Sequence, residues 1–167
     1  MLCFGSAGRV CSVLCVLAIG SLPLPSCAPR ACPAIGYISS VTVHITPERA
    51  ATLAKLDLEL CQDGTCHDFS IDPSATLTLG AVPAPTSPNA FRAAPVRTAD
   101  GGIDVRIEAS INDDPLDLTT SGTDASGGSI GMSHVRLSPT TSYPAGKGCG
   151  GPTTASATLD RLGLRSG

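Results

Sequence analysis

The chain has 167 residues, a formal net charge of −3, no tryptophan, and only two Tyr and three Phe. Its eleven Lys and Arg form no block of like charge along the sequence, which argues against nucleic acid as a partner, since phosphate binding needs a clustered basic face. With so few aromatic rings, platforms that stack bases or sugars are hard to build. The length suits one domain around one core.

The N-terminal segment reads as an export signal. Arg9 is the only basic residue before Val10 to Gly20 (VCSVLCVLAIG), an apolar run of eleven residues interrupted only by Ser12. Crossing a bilayer needs roughly 20 residues, so this run is too short for a permanent span and fits a removable signal. Ser21-Leu22-Pro23 breaks it, and Leu24-Pro25-Ser26-Cys27 follows. This tetrapeptide resembles a bacterial lipobox, with an aliphatic residue three before the cysteine and a small residue directly before it. Pro25 departs from the pattern. Together with the Ala, Gly, Pro, Thr and Arg richness, the segment is similar to that of actinobacterial lipoproteins. The resemblance implies a diacylglyceryl group on the Cys27 thiol, cleavage after residue 26, and a chain held on the outer face of the cell membrane. Plain secretion is the alternative.

Cysteine parity agrees. Cys3, Cys11 and Cys15 leave with residues 1–26, and Cys27, Cys32, Cys61, Cys66 and Cys149 stay. Lipidation of Cys27 leaves four, which can all pair in an oxidising compartment.

Residues 27–34 (CAPRACPA) form an extended Pro/Ala tether, and 35–167 form the domain. From Ile35 the pattern has period two. Val41, Val43 and Ile45 alternate with Thr42 and His44; Leu56, Leu58 and Leu60 alternate with Asp57 and Glu59. Phe69/Ile71 and Leu77/Leu79 continue the theme. Ile103, Val105, Ile107, Ala109 and Ile111 make the clearest strand, followed by Leu116/Leu118, Val135/Leu137 and Ala155/Ala157/Leu159. Only Pro47 to Leu53 has helical character, with Pro in a first-turn position. Seven or eight short strands predict an all-β, antiparallel β-sandwich, immunoglobulin-like or similar, stapled by disulfides. Ala81 to Pro95, with four prolines, cannot be a central strand and reads as a sheet crossing or an edge. Pro139 to Pro152 is a second irregular loop.

Cys61-Gln-Asp-Gly-Thr-Cys66 is the sharpest local motif. Asp63-Gly64 is the favoured pair for a type I′ turn, which needs positive φ at both residues. Gln62 then faces Thr65, and Cys61 faces Cys66 with Cα atoms about 4.5 Å apart, close enough for a disulfide on the outer face. The remaining pair is Cys32–Cys149. Zinc would need four ligands at a spacing that these cysteines and the three histidines do not supply, and no metal or other cofactor is expected.

Candidate chemistry is sparse. Gly127-Gly128-Ser129-Ile130-Gly131 matches G-x-S-x-G, but a nucleophile elbow needs a strand before the serine and a helix after it. Thr119 to Ser126 reads as loop and Met132 to Leu137 as strand, and His134 is too close in sequence to sit on a distant loop. Asn112-Asp113-Asp114-Pro115, with Asp117, offers oxygen donors for Ca2+ without the spacing of a calcium loop, and the same residues make tight turns. The expectation is therefore a non-catalytic binding module with a surface or envelope protein as partner and no nucleic acid. Phe91, Arg92, Arg97 and Tyr143 are its candidate contacts. A carrier with a hydrophobic ligand in the β core comes second, and a serine hydrolase using Ser129 third.

Overall fold

The computed structural model describes residues 31–34, 36–74 and 92–167. The signal segment, Cys27, Leu77, Leu79, Phe91 and the prolines at 83, 85 and 88 lie outside the described residues.

Alternation of β-branched and polar residues sets the first strand, β1 (Ser40–Ile45), with Val41, Val43 and Ile45 fully buried. Pro47 then opens one helical turn, α1 (Pro47–Ala50). It sits where its missing N–H costs nothing. The remaining strands are β2 (Leu53–Gln62), β3 (Thr65–Ile71), β4 (Arg92–Arg97), β5 (Ile103–Glu108), β6 (Leu116–Asp124), β7 (Ser133–Leu137), β8 (Thr140–Thr141), β9 (Thr153–Asp160) and β10 (Gly163–Ser166). They form two sheets. One runs β10-β9-β1-β5-β4 with β8 also on β9; the other runs β3-β2-β6-β7. Val43, Ile45, Val105, Ile107 and Leu159 from the first sheet share one core with Leu56, Leu58, Leu60, Leu118 and Leu137 from the second. The fold is thus the expected all-β, antiparallel-rich sandwich.

Three features differ from the expectation. β1 pairs with β9 in parallel, Ser40 opposite Thr154 and Ile45 opposite Leu159. Period-two alternation assigns faces but says nothing of neighbours or direction. The strand expected through Ile111 ends at Glu108, although Ala109 keeps its inward position. Thr119 to Asp124, expected as loop, continues β6 against β2, Thr120 opposite Leu58 and Gly122 opposite Leu56. Thr120 is buried at 2 % exposure on the inward face. At Gly122 a Cβ would lie 2.1 Å from the Lys55 carbonyl oxygen, so only glycine lets β6 pass the irregularity between Leu53 and Lys55.

Pro95 lies in β4, the edge strand next to β5, where a missing N–H is tolerated. The Pro139–Pro152 loop is irregular except for β8 and a 3-10 turn at Lys147–Cys149.

The registers define two ends of the sandwich. The β2–β3 turn, the 112–115 turn, the 138–152 loop and the start of β9 lie at one end, the disulfide end. α1, the β6–β7 loop and the β9–β10 turn lie at the other, the helix end.

Candidate functional site

At the disulfide end, Asp63 and Gly64 have φ of 52° and 76°, the two positive values that a type I′ turn needs. The register pairs Gln62 with Thr65 and Cys61 with Cys66, and the latter are disulfide-bonded with Cα atoms 4.1 Å apart. Cys32 is bonded to Cys149, with Cα atoms 5.2 Å apart. Cys32 begins the compact unit Cys32–Gly167, so that part of the tether is fastened to the sandwich.

The acidic turn is clamped to the hairpin tip. Gln62 Nε2 donates to the Asp114 carbonyl at 2.7 Å, and Gln62 Oε1 accepts from the Asn112 amide at 3.1 Å. Asn112 Nδ2 donates to Asp63 Oδ2 at 3.0 Å, while its Oδ1 accepts from the Asp114 amide at 2.8 Å. Asn112 thus spends its side chain as a turn residue, and Asp117 lies 3.2 Å from His134. The ligand atoms of Glu59, Cys61 and Cys66 converge within 4.8 Å, but the disulfide occupies both sulfurs.

The candidate contacts lie on separate parts of the sandwich. Arg92 faces Glu108 near the disulfide end and Arg97 faces Ile103 near the helix end, five residues and roughly 17 Å apart along β4. Tyr143, at 40 % exposure, belongs to the loop beyond β8 on the other side of the sheet. Phe91 lies outside the described residues.

A strand does precede Ser129, but a second strand, β7, follows it where a nucleophile elbow needs a helix. Ser129 bridges to Thr123, whereas His134 faces Thr119, four residues or roughly 13 Å along β6. The Ser129 hydroxyl accepts from the Gly131 amide at 3.1 Å, and His134 pairs with Asp117. His44 lies 2.7 Å from Asp104, its cross-strand neighbour on the outer face. His67 is half-buried on the face that also holds Phe69 and Ile71.

The loop that contains Ser129 is built on Asp124. Its Oδ1 accepts from the Ser126 hydroxyl at 2.6 Å, the Gly128 amide at 2.8 Å and the Ser126 amide at 2.9 Å. These bonds, the Ser126 hydroxyl first, hold the carboxyl below its ordinary value of 3.8. A lowered folded value means that the carboxylate contributes stability above pH 3.8 and loses it as pH falls through the folded value. An NMR titration of Asp124 therefore has its midpoint below 3.8, and Ser126→Ala moves it back toward 3.8. A midpoint unchanged by Ser126→Ala would contradict this bonding.

The helix end exposes two side chains that the alternation did not single out, Met132 at 80 % and Leu162 at 91 %. Leu162 was detectable. It occupies the two-residue turn closed by the Asp160–Gly163 pair, a place where small or polar residues are usual. Comparison with protein-family models, curated proteins and solved structures finds no match to this chain.

Proposed function

We propose that the chain is a non-catalytic interaction module held on the outer face of the cell membrane by a lipid on Cys27. The observation that carries this reading is the cysteine count after residue 26. Cys32, Cys61, Cys66 and Cys149 are consumed in two disulfides, which leaves Cys27 as the single thiol, at the lipobox position. Disulfides persist in oxidising, extracytoplasmic surroundings, which supports export. Two acyl chains suffice for stable anchoring, at about 0.8 kcal/mol per buried CH2. Among the described residues no helix is long and apolar enough to cross a membrane.

Five residues from Cys27 to Cys32 reach at most about 17 Å, so the anchor holds the sandwich close to the bilayer by its disulfide end. The side chains where the sheets meet, among them Leu56, Leu118 and Ile107 at 0 % exposure, support a core filled by packing over one that holds a ligand. The separation of Ser129 from the His134–Asp117 pair supports a binding role over hydrolysis. Metabolic labelling with a radioactive fatty acid tests the anchor. The wild-type chain is expected to take up label, and Cys27→Ala is expected to take up none. A wild-type chain that takes up no label, or a Cys27→Ala chain that takes up as much, would overturn the lipid reading.

A further inference from the structure

At the helix end, α1, the β6–β7 loop and the β9–β10 turn enclose a cleft of about 100 Å3. Buried Leu159 and Thr120 line it, with Arg49 and Arg161. Arg49 is half-buried and donates through Nη2 to the Ile130 carbonyl at 3.4 Å, but its Nε is buried without an acceptor. Arg161 is exposed and takes part in none of the ion pairs found among the described residues. None of the lining residues carries a carboxylate, although the chain as a whole is acidic. Arg165 is held by Asp160, outside the lining. The exposed side chains of Met132 and Leu162 also line the cleft.

We propose that this cleft binds an acidic, apolar peptide segment of a partner protein. An Asp, Glu or C-terminal carboxylate would accept hydrogen bonds from Arg49 and Arg161, and a neighbouring aliphatic side chain would cover Met132 and Leu162. The charge pattern carries the assignment. A guanidinium presents a planar fork that matches a carboxylate, and two of them, Arg49 and Arg161, line the cleft with no carboxylate beside them. Apolar contacts around such a pair exclude water and strengthen it, as at the centre of protein interfaces. Position favours a protein over a lipid surface. The chain leads toward Cys27 from the disulfide end, and the eight residues of β9 put the cleft roughly 26 Å from there.

The inference rests on the binding-module reading, and its preference for a protein over a lipid surface rests also on the anchor at Cys27. Its test is selection of a displayed library of linear peptides on the full, oxidised chain, followed by titration with the enriched peptides as synthetic molecules. Enriched sequences are expected to place a carboxylate within two residues of Leu, Ile, Val or Phe. They are expected to bind at least tenfold more weakly to Arg49→Gln, to Arg161→Gln and to Met132→Ser with Leu162→Ser. Arg161 and Leu162 are exposed, so those variants keep the fold, which the far-ultraviolet spectrum checks. No enrichment, enrichment without a carboxylate, or affinity unchanged in Arg161→Gln overturns the proposal. So does binding of the chain to phosphatidylglycerol vesicles without peptide enrichment, or a dimer that Leu162→Ser abolishes. A missing lipid on Cys27 leaves these readouts unaffected, so the two failures are distinguishable.

Discussion

Replacing Cys32 and Cys149 by serine is expected to lower the free energy of unfolding by about 5 kcal/mol, and replacing Cys61 and Cys66 by about 2 kcal/mol. The difference comes from the unfolded chain. The first bond closes a segment with a sequence separation of 117 and the second one of 5, and the entropy removed grows with the logarithm of loop length. A domain of this size has about 5–15 kcal/mol in total, so loss of the long-range bond removes a third of it or more. Loss of the hairpin bond leaves a folded protein whose β2–β3 turn still has Asp63 and Gly64 in place. Paired urea denaturation curves of the two double variants measure both numbers. Equal losses would mean that the cross-link to Cys149 constrains little that packing has not already ordered.

Leu58→Ala is expected to destabilise the sandwich by about 2–5 kcal/mol, while Glu59→Ala changes it by less than about 0.5 kcal/mol. Leu58 is 1 % exposed, lies in an inner strand, and faces Phe69 on β3 and Thr120 on β6. Truncation there removes apolar contact and leaves a cavity that two paired strands cannot close. Glu59, one residue on, points to solvent. The contrast between adjacent positions reads the register itself, because a slip of one residue would exchange the two effects. Thermal or urea unfolding of both variants decides it; similar losses would contradict the assigned faces.

These two expectations rest on different degrees of legibility. The inward set of Leu56, Leu58 and Leu60, and of Val41, Val43 and Ile45, follows from alternation alone, since a strand must place every second side chain on one face. The hairpin at Asp63-Gly64 is legible because positive φ at two successive residues strongly restricts the choice of residue. Once that turn is set, Cys61 and Cys66 must face each other, and Cys32–Cys149 follows as the remaining pair.

The rest depends on neighbours that no local pattern encodes. The parallel pairing of β1 with β9 joins segments more than a hundred residues apart, and nothing in SVTVHI or TTASATLD states its direction. β6 beyond Leu118 looked like loop because TTSGTD has no apolar residue. It is a strand because its backbone completes the ladder to β2 and because Gly122 can pass the Lys55 carbonyl. The charged cleft was hidden for the same reason. Arg49, Met132 and Arg161 come from three separate segments, and only the packing of α1 against two connections brings them together. Arg92, Arg97 and Tyr143, chosen for residue type on irregular stretches, share no such convergence.

The most direct test of the anchored module is the intact mass of the chain produced in an actinobacterial host, wild type beside Cys27→Ala, before and after reduction. The expected wild-type species starts at Cys27, carries added acyl mass and gains four hydrogens on reduction of its two disulfides. An unmodified wild-type species whose Cys27 is a free thiol, or is paired with another cysteine, would contradict it.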